Sequence, residues 1–171
     1  MLMIDHLTRE NATGMVKDFY SRIPEAIEIP APMLVMSASG GLFEKLAGTM
    51  GYFATHESFE PHLPAAIRYM VACHKNYPAC IDFNGQLLRA MGVDADELAN
   101  LATDPLKTDF APKERALLAF AKTAAIAPEK INKDTIEALK AEGWKESDLV
   151  DAVYQAGAVS VTQAMTDTFS V

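Results

Sequence analysis

The chain has 171 residues, 50% of them hydrophobic and 22% charged, with a formal net charge of -8. That length supports one sizeable core, so a single domain over residues 1–171 is expected; an acidic balance without any Lys/Arg cluster argues against nucleic acid, whose binders need concentrated positive charge. No run reaches the roughly 18 uncharged apolar residues of a membrane span, and the opening MLMIDHLTREN has early acids and no cleavable apolar core, so a cytoplasmic location without a membrane partner is expected.

Sustained alternation of β-branched and polar residues is missing, and no Asn-Gly or Asp-Gly turn joins two apolar runs, so the expected class is all-α. A polar helix is expected from about Thr8 to Arg22, ending before Pro24. Pro24, Pro30 and Pro32 then read as an extended connector, making residues 1–38 an N-terminal helix plus a proline-rich link. A second helix is expected from near Ser39, with Leu42, Phe43, Leu46, Met50 and Phe53 recurring at three and four residues.

Leu63-Pro64 opens the next helix with proline in the first turn, where its missing N–H costs nothing, and it should end near Asn76. Pro78 opens another, running through Cys80, Phe83, Leu87, Leu88 and Met91 to Gly92 as a C-terminal cap. Asp94 caps a short helix through Leu101, and Pro112 opens one striped with Leu117, Phe120, Ala121 and Ala124. A short helix from Asp134 to Glu142 is closed by Gly143, and a long one runs from Glu146 to Phe169. The sum is seven to eight helices and no sheet. Because Val153, Ala156, Val159, Val161 and Ala164 make the last helix apolar on more than one side, it is expected either at the centre or in a homo-oligomer interface.

Chemistry-bearing residues are few. His6, His56, His62 and His74 lack the i, i+4 spacing that sets metal ligands on one helical face, so neither metal nor cofactor is expected; His56 and His62, flanking Glu57 and Glu60, read as surface residues. The two cysteines, Cys73 and Cys80, are more informative, and Cys80 sits in the first turn of the helix that Pro78 opens, where the positive end of the helix dipole favours a thiolate. Tyr77 and Asn84 are three and four residues from Cys80 and share its helical face. Asp82 reads as part of a solvated face.

The run LPAAIRYMVACHKNYPACIDFNGQLLRAMGVDADEL, followed by APKERALLAFAKTAA and DTIEALKAEGWKESDLVDAVYQAGAVSVTQAMTDTF, resembles the carboxymuconolactone decarboxylase and alkylhydroperoxidase D superfamily over roughly Leu42 to the C-terminus. The resemblance implies a helical, AhpD-like domain that assembles as a dimer, trimer or hexamer. In the hydroperoxidase branch a glutamate, eleven residues later Cys-x-x-Cys, and three residues after that a histidine supply two thiols and a proton relay. Placed on this chain, the second thiol falls on Cys80, the first on Tyr77, the histidine on Asn84 and the glutamate on Ala65. The relay side chains are therefore absent, and a disulfide of the family kind cannot form between positions 77 and 80.

Three functions follow from this reading. The first is a thiol-dependent hydroperoxidase using Cys80 as its one catalytic cysteine, with Cys73 as a possible resolving thiol. The alternative is a non-catalytic relative that binds a small hydrophobic ligand through Tyr77, Phe83 and Asn84, or serves as an oligomeric scaffold. A decarboxylase-like enzyme is the second alternative, although no histidine follows Pro78 in its helix and the nearest basic group there is Arg89.

Overall fold

The computed structural model describes all residues from Met1 to Val171. It contains nine α-helices: α1 (Gly14–Tyr20), α2 (Ala31–Ser37), α3 (Gly40–Ala54), α4 (Leu63–Lys75), α5 (Pro78–Ala90), α6 (Ala95–Thr103), α7 (Pro112–Ile126), α8 (Lys133–Ala141) and α9 (Glu146–Phe169). Short 3-10 turns at Pro105–Lys107 and Pro128–Lys130 lead into or out of α7. The only extended pairing is an isolated bridge between Leu2 and Ser170. No helix is long and apolar enough to cross a membrane.

Two compact units are distinguishable, one formed by Met1–His56 with Val161–Val171, the other by Glu57–Ser160. In the first, Phe19, Tyr20 and Phe43 meet edge to face, with ring centroids 5.3 to 6.4 Å apart. Arg9 gathers the carbonyls of Tyr20, at the end of α1, and of Ile23, Pro24 and Ile27 in the turns that follow it. The first expected helix is thus much shorter than Thr8 to Arg22, because Gly14 takes φ +53 and starts it late. The proline-rich connector is not wholly extended either. Pro32 stands at the second position of α2, where its fixed φ suits a helix and its missing N–H goes unmissed, and this extra helix raises the count to nine.

The second unit is built on α4 and α5, joined by a tight break. Leu63, Ile67, Met70 and Val71 of α4, Leu88 of α5, Leu101 of α6, Leu117 and Leu118 of α7 and Val159 of α9 are all fully buried. Each such side chain is worth about 1.5–3 kcal/mol of transfer free energy. Three helices here end the same way. A residue at the C-cap or just after it takes positive φ (Asn76 at +51, Gly92 at +93, Gly143 at +95) while the next N–H reaches back to the carbonyl five residues earlier. Those bonds are Tyr77 to Ala72, Val93 to Leu88 and Trp144 to Leu139, at 3.0 to 3.2 Å. This is the Schellman ending that the two glycines signal; at position 76 asparagine serves, being one of the few residues that tolerate the left-handed region.

Candidate functional site

The Schellman turn at Asn76 fixes where Cys80 stands. It leaves Tyr77 extended at φ -105 and ψ 94 as the N-cap of α5, Pro78 takes the first helical position, and Cys80 follows in the first turn. Tyr77 and Cys80 are buried, Phe83 is half-buried and Asp82 exposed. Asn84, in the position that matches the family's histidine, is 1% exposed, and both ends of its amide are used inside the protein. Its Nδ2 donates to the Cys80 carbonyl at 2.8 Å and its Oδ1 accepts from Arg68 Nε at 2.9 Å. Asn84 therefore holds the backbone of Cys80 in place and at the same time anchors a cation.

Arg68 escaped the sequence reading. It lies on α4, three residues after Ala65, and besides Asn84 its Nη1 donates to the Oε1 of Gln155 on α9, itself buried. Arg68 is half-buried, and desolvation pushes its pKa down to about 10, opposed by the favourable charge of Cys80 when ionised. An attraction that favours the charged arginine equally favours the Cys80 thiolate, since the coupling is mutual. The available signal was a lone charge in an otherwise uncharged stretch, LPAAIRYMVAC; a long basic residue inside an apolar helix face needs partners or a function.

Cys73 has different surroundings. It and Arg68 are five residues apart on α4, so their side chains leave the axis about 140° apart. Burial raises the Cys73 thiol above the usual range, while a hydrogen bond with Tyr69 and the charge of Lys122 on α7 pull it back. Tyr69 is raised in turn, first by its own burial and then by Cys73. Its ring lies against α5 at Gly85, where a Cβ would come within 3.2 Å of Tyr69 Cε2. No disulfide joins the two cysteines. Arg89, the basic group expected nearest Cys80 within α5, is exposed.

His62 is not a simple surface residue. It packs against Phe110 with ring centroids 4.8 Å apart, and its Nε2 lies 3.3 Å from Oε1 of the buried Glu114. With Asp94, Glu97, Asn100 and Asp109 it lines a groove of about 660 Å³ that includes neither Cys80 nor Arg68. No group of three or more His, Cys, Asp or Glu side chains is arranged to hold a metal ion.

No protein-family model matches the sequence, and no curated protein matches it. Solved structures do. The chain superposes with TM-score 0.79 on an alkylhydroperoxidase AhpD core, a peroxidase-related protein from Ralstonia eutropha JMP134, at 16% identity over 98% of this chain and 90% of that one. The fold is the AhpD-like helical fold. A peroxidase-related protein from Silicibacter sp. TM1040 gives TM-score 0.79 at 14% identity, covering 98% of this chain and 89% of its own. The debrominase Bmp8, in a cysteine-to-alanine variant bound to 2,3,4-tribromopyrrole, gives 0.77 at 17% identity over 98% and 92%. The AhpD-like fold thus hosts proteins described by more than one activity.

Proposed function

We propose that this AhpD-like chain is a thiol-dependent oxidoreductase that reduces organic hydroperoxides, with Cys80 as its one reacting cysteine. The observation that carries this reading is the Arg68 guanidinium, drawn into the protein beside Cys80 and bonded only to the amides of Asn84 and Gln155. A half-buried cation without a carboxylate partner stabilises an adjacent anion, and the thiolate is the nucleophilic form of cysteine. The first-turn position of Cys80 on α5 acts in the same direction.

In the reaction the Cys80 thiolate attacks the terminal oxygen of the hydroperoxide, the O–O bond breaks, and the alkoxide leaves as the alcohol after taking a proton from water. Cys80 becomes a sulfenic acid. Two equivalents of an external thiol return it to the thiol, giving one disulfide and one water. The reductant is external because Cys73 faces Tyr69 and Lys122 on another side of α4. Asn84 moves no proton in this scheme; it positions Cys80 and Arg68.

The test is Cys80 alkylation against pH in a Cys73→Ala background, with the intact mass read after a small dose of organic hydroperoxide. Expected are a midpoint below the roughly 8.5 of a free thiol and one added oxygen or a mixed disulfide on Cys80. A Cys80 that alkylates no faster than a free thiol and takes up no oxygen removes the peroxidase reading. It would leave the second one, a non-catalytic protein binding a small hydrophobic ligand, which the absence of a proton relay at Ala65 and Asn84 favours.

A further inference from the structure

We infer that Arg68 is also the substrate-binding residue of this site, and that the molecule reacting at Cys80 carries a carboxylate. The inference rests on the reading of Cys80 as the reacting thiol. A guanidinium has five N–H donors in a rigid plane, and Arg68 spends two of them, one at Nε on Asn84 and one at Nη1 on Gln155. Nη2 makes no hydrogen bond within the protein. The two acceptors already in place are buried and neutral, so they orient the plane without neutralising it. Nothing in the second unit forms an ion pair with Arg68; its electrostatic partner is Cys80, and only while that thiol is ionised.

Once Cys80 has become a neutral sulfenic acid, the half-buried guanidinium has no anion beside it, and its free N–H groups are open to an anion supplied from outside. A carboxylate matches what is left free. It accepts parallel hydrogen bonds in the plane of the guanidinium, a fit that an ammonium of the same charge does not offer, and it would hold the remainder of the molecule next to the sulfur. The substrate class is therefore a hydroperoxide bearing a carboxylate.

The test separates anion binding from thiol activation by using two alkylating reagents that differ only in charge. In the full chain with Cys73→Ala, Cys80 is alkylated by iodoacetate and by iodoacetamide at one pH, and the ratio of the two rates is compared with that of glutathione, so that the thiolate fraction cancels. Expected is an iodoacetate preference about tenfold above that of glutathione, the scale of one charge-assisted hydrogen bond. Benzoate should slow both reagents and benzamide neither. Arg68→Gln should return the ratio to that of glutathione, and Arg68→Lys should keep part of it. A ratio at or below glutathione's, a raised ratio unchanged in Arg68→Gln, or a Cys80 that neither reagent reaches overturns the inference. Should Arg68→Gln fail to fold, benzoate against benzamide decides the matter in the protein with Arg68 intact. A raised ratio on a Cys80 that takes no oxygen from hydroperoxide keeps the anion site and removes the peroxidase reading; the opposite pattern removes the anion site alone.

Discussion

Arg68 on α4 and Asn84 on α5 are joined across the helix pair by a 2.9 Å hydrogen bond in which the guanidinium donates from Nε, and Asn84 passes the restraint on to the Cys80 carbonyl. Asn84→Asp keeps the shape and the acceptor but places a carboxylate against Arg68 and near Cys80. The new charge neutralises the guanidinium and repels the thiolate, so the alkylation midpoint of Cys80 should move to higher pH. Asn84→Ala should leave Arg68 Nε without its acceptor and remove the side-chain bond to the Cys80 carbonyl, and cost about 1–3 kcal/mol in a denaturant melt. An unmoved midpoint in Asn84→Asp would mean that Arg68 does not act on Cys80.

Cys73 and Tyr69 make a second pair, and its signature is at alkaline pH. Both groups are raised, each first by burial, so the fold favours their protonated forms. Their contribution to stability is complete below the unfolded-state values, which start near 9.0 for the thiol and 10.0 for the phenol, and is lost as the pH rises through the higher folded values. Unfolding free energy should therefore fall above pH 9, and Cys73→Ala should flatten the first part of that fall. Tyr69→Phe removes a hydrogen bond that lowers the Cys73 thiol, so Cys73 should then alkylate at still higher pH. A stability profile that Cys73→Ala leaves unchanged between pH 9 and 10 would count against this account.

Two glycines should respond to alanine with opposite signs. In exposed Gly48 of α3 an added Cβ meets nothing within 4 Å, so Gly48→Ala should gain up to about 1 kcal/mol of helix propensity. At Gly85 the same propensity gain is set against the Tyr69 ring at 3.2 Å, held by its bond to Cys73 and by burial. Overpacking costs about 1–3 kcal/mol, so Gly85→Ala should be net destabilising. Thermal melts of the two variants check both signs.

Why some of this was legible in the sequence and some was not has a physical reason. Pro78 and Gly92 mark the ends of α5, and Asp94, whose carboxylate accepts from the Glu97 N–H at 2.8 Å, marks the start of α6; these are local signals, decided within one turn of helix. α2 was hidden because Pro32 reads equally well as the end of a structure or as its second residue. The site itself is non-local. Cys80 and Asn84 stood out by spacing on one helix, whereas Arg68 acquires meaning only when α4 is laid beside α5, and Gln155 is separated from Arg68 by 87 positions in sequence. His62 reads as superficial in the sequence for the same reason, since its partner Glu114 lies on α7.

We propose that the exposed face of α9 is covered by a second copy of the chain. Val150 is 68% exposed and Val153, three residues further along the same helix, is 40% exposed, apolar surface that a lone subunit would leave in water. Light scattering after size exclusion should give a mass above that of one chain, and Val153→Glu should shift it toward the monomer without loss of helical circular dichroism. A monomeric protein before any substitution would refute the proposal.

The contact between His62 and Glu114 lends itself to a double-mutant cycle. Glu114 is buried; its Oε2 accepts from the Ala111 N–H at 3.1 Å at the start of α7, while its Oε1 faces His62 Nε2 at 3.3 Å, short of hydrogen-bond geometry. Removing the imidazole deletes this contact and the packing of its ring on Phe110, so His62→Ala should cost about 0.5–3 kcal/mol. Glu114→Gln keeps a side chain able to accept from Ala111 and discards the charge. If the two groups stabilise each other, His62→Ala should be less costly in the Glu114→Gln background, by about 0.5 kcal/mol or more in urea unfolding. Strictly additive costs would show instead that Glu114 acts through the Ala111 N–H and the N-terminal dipole of α7 alone.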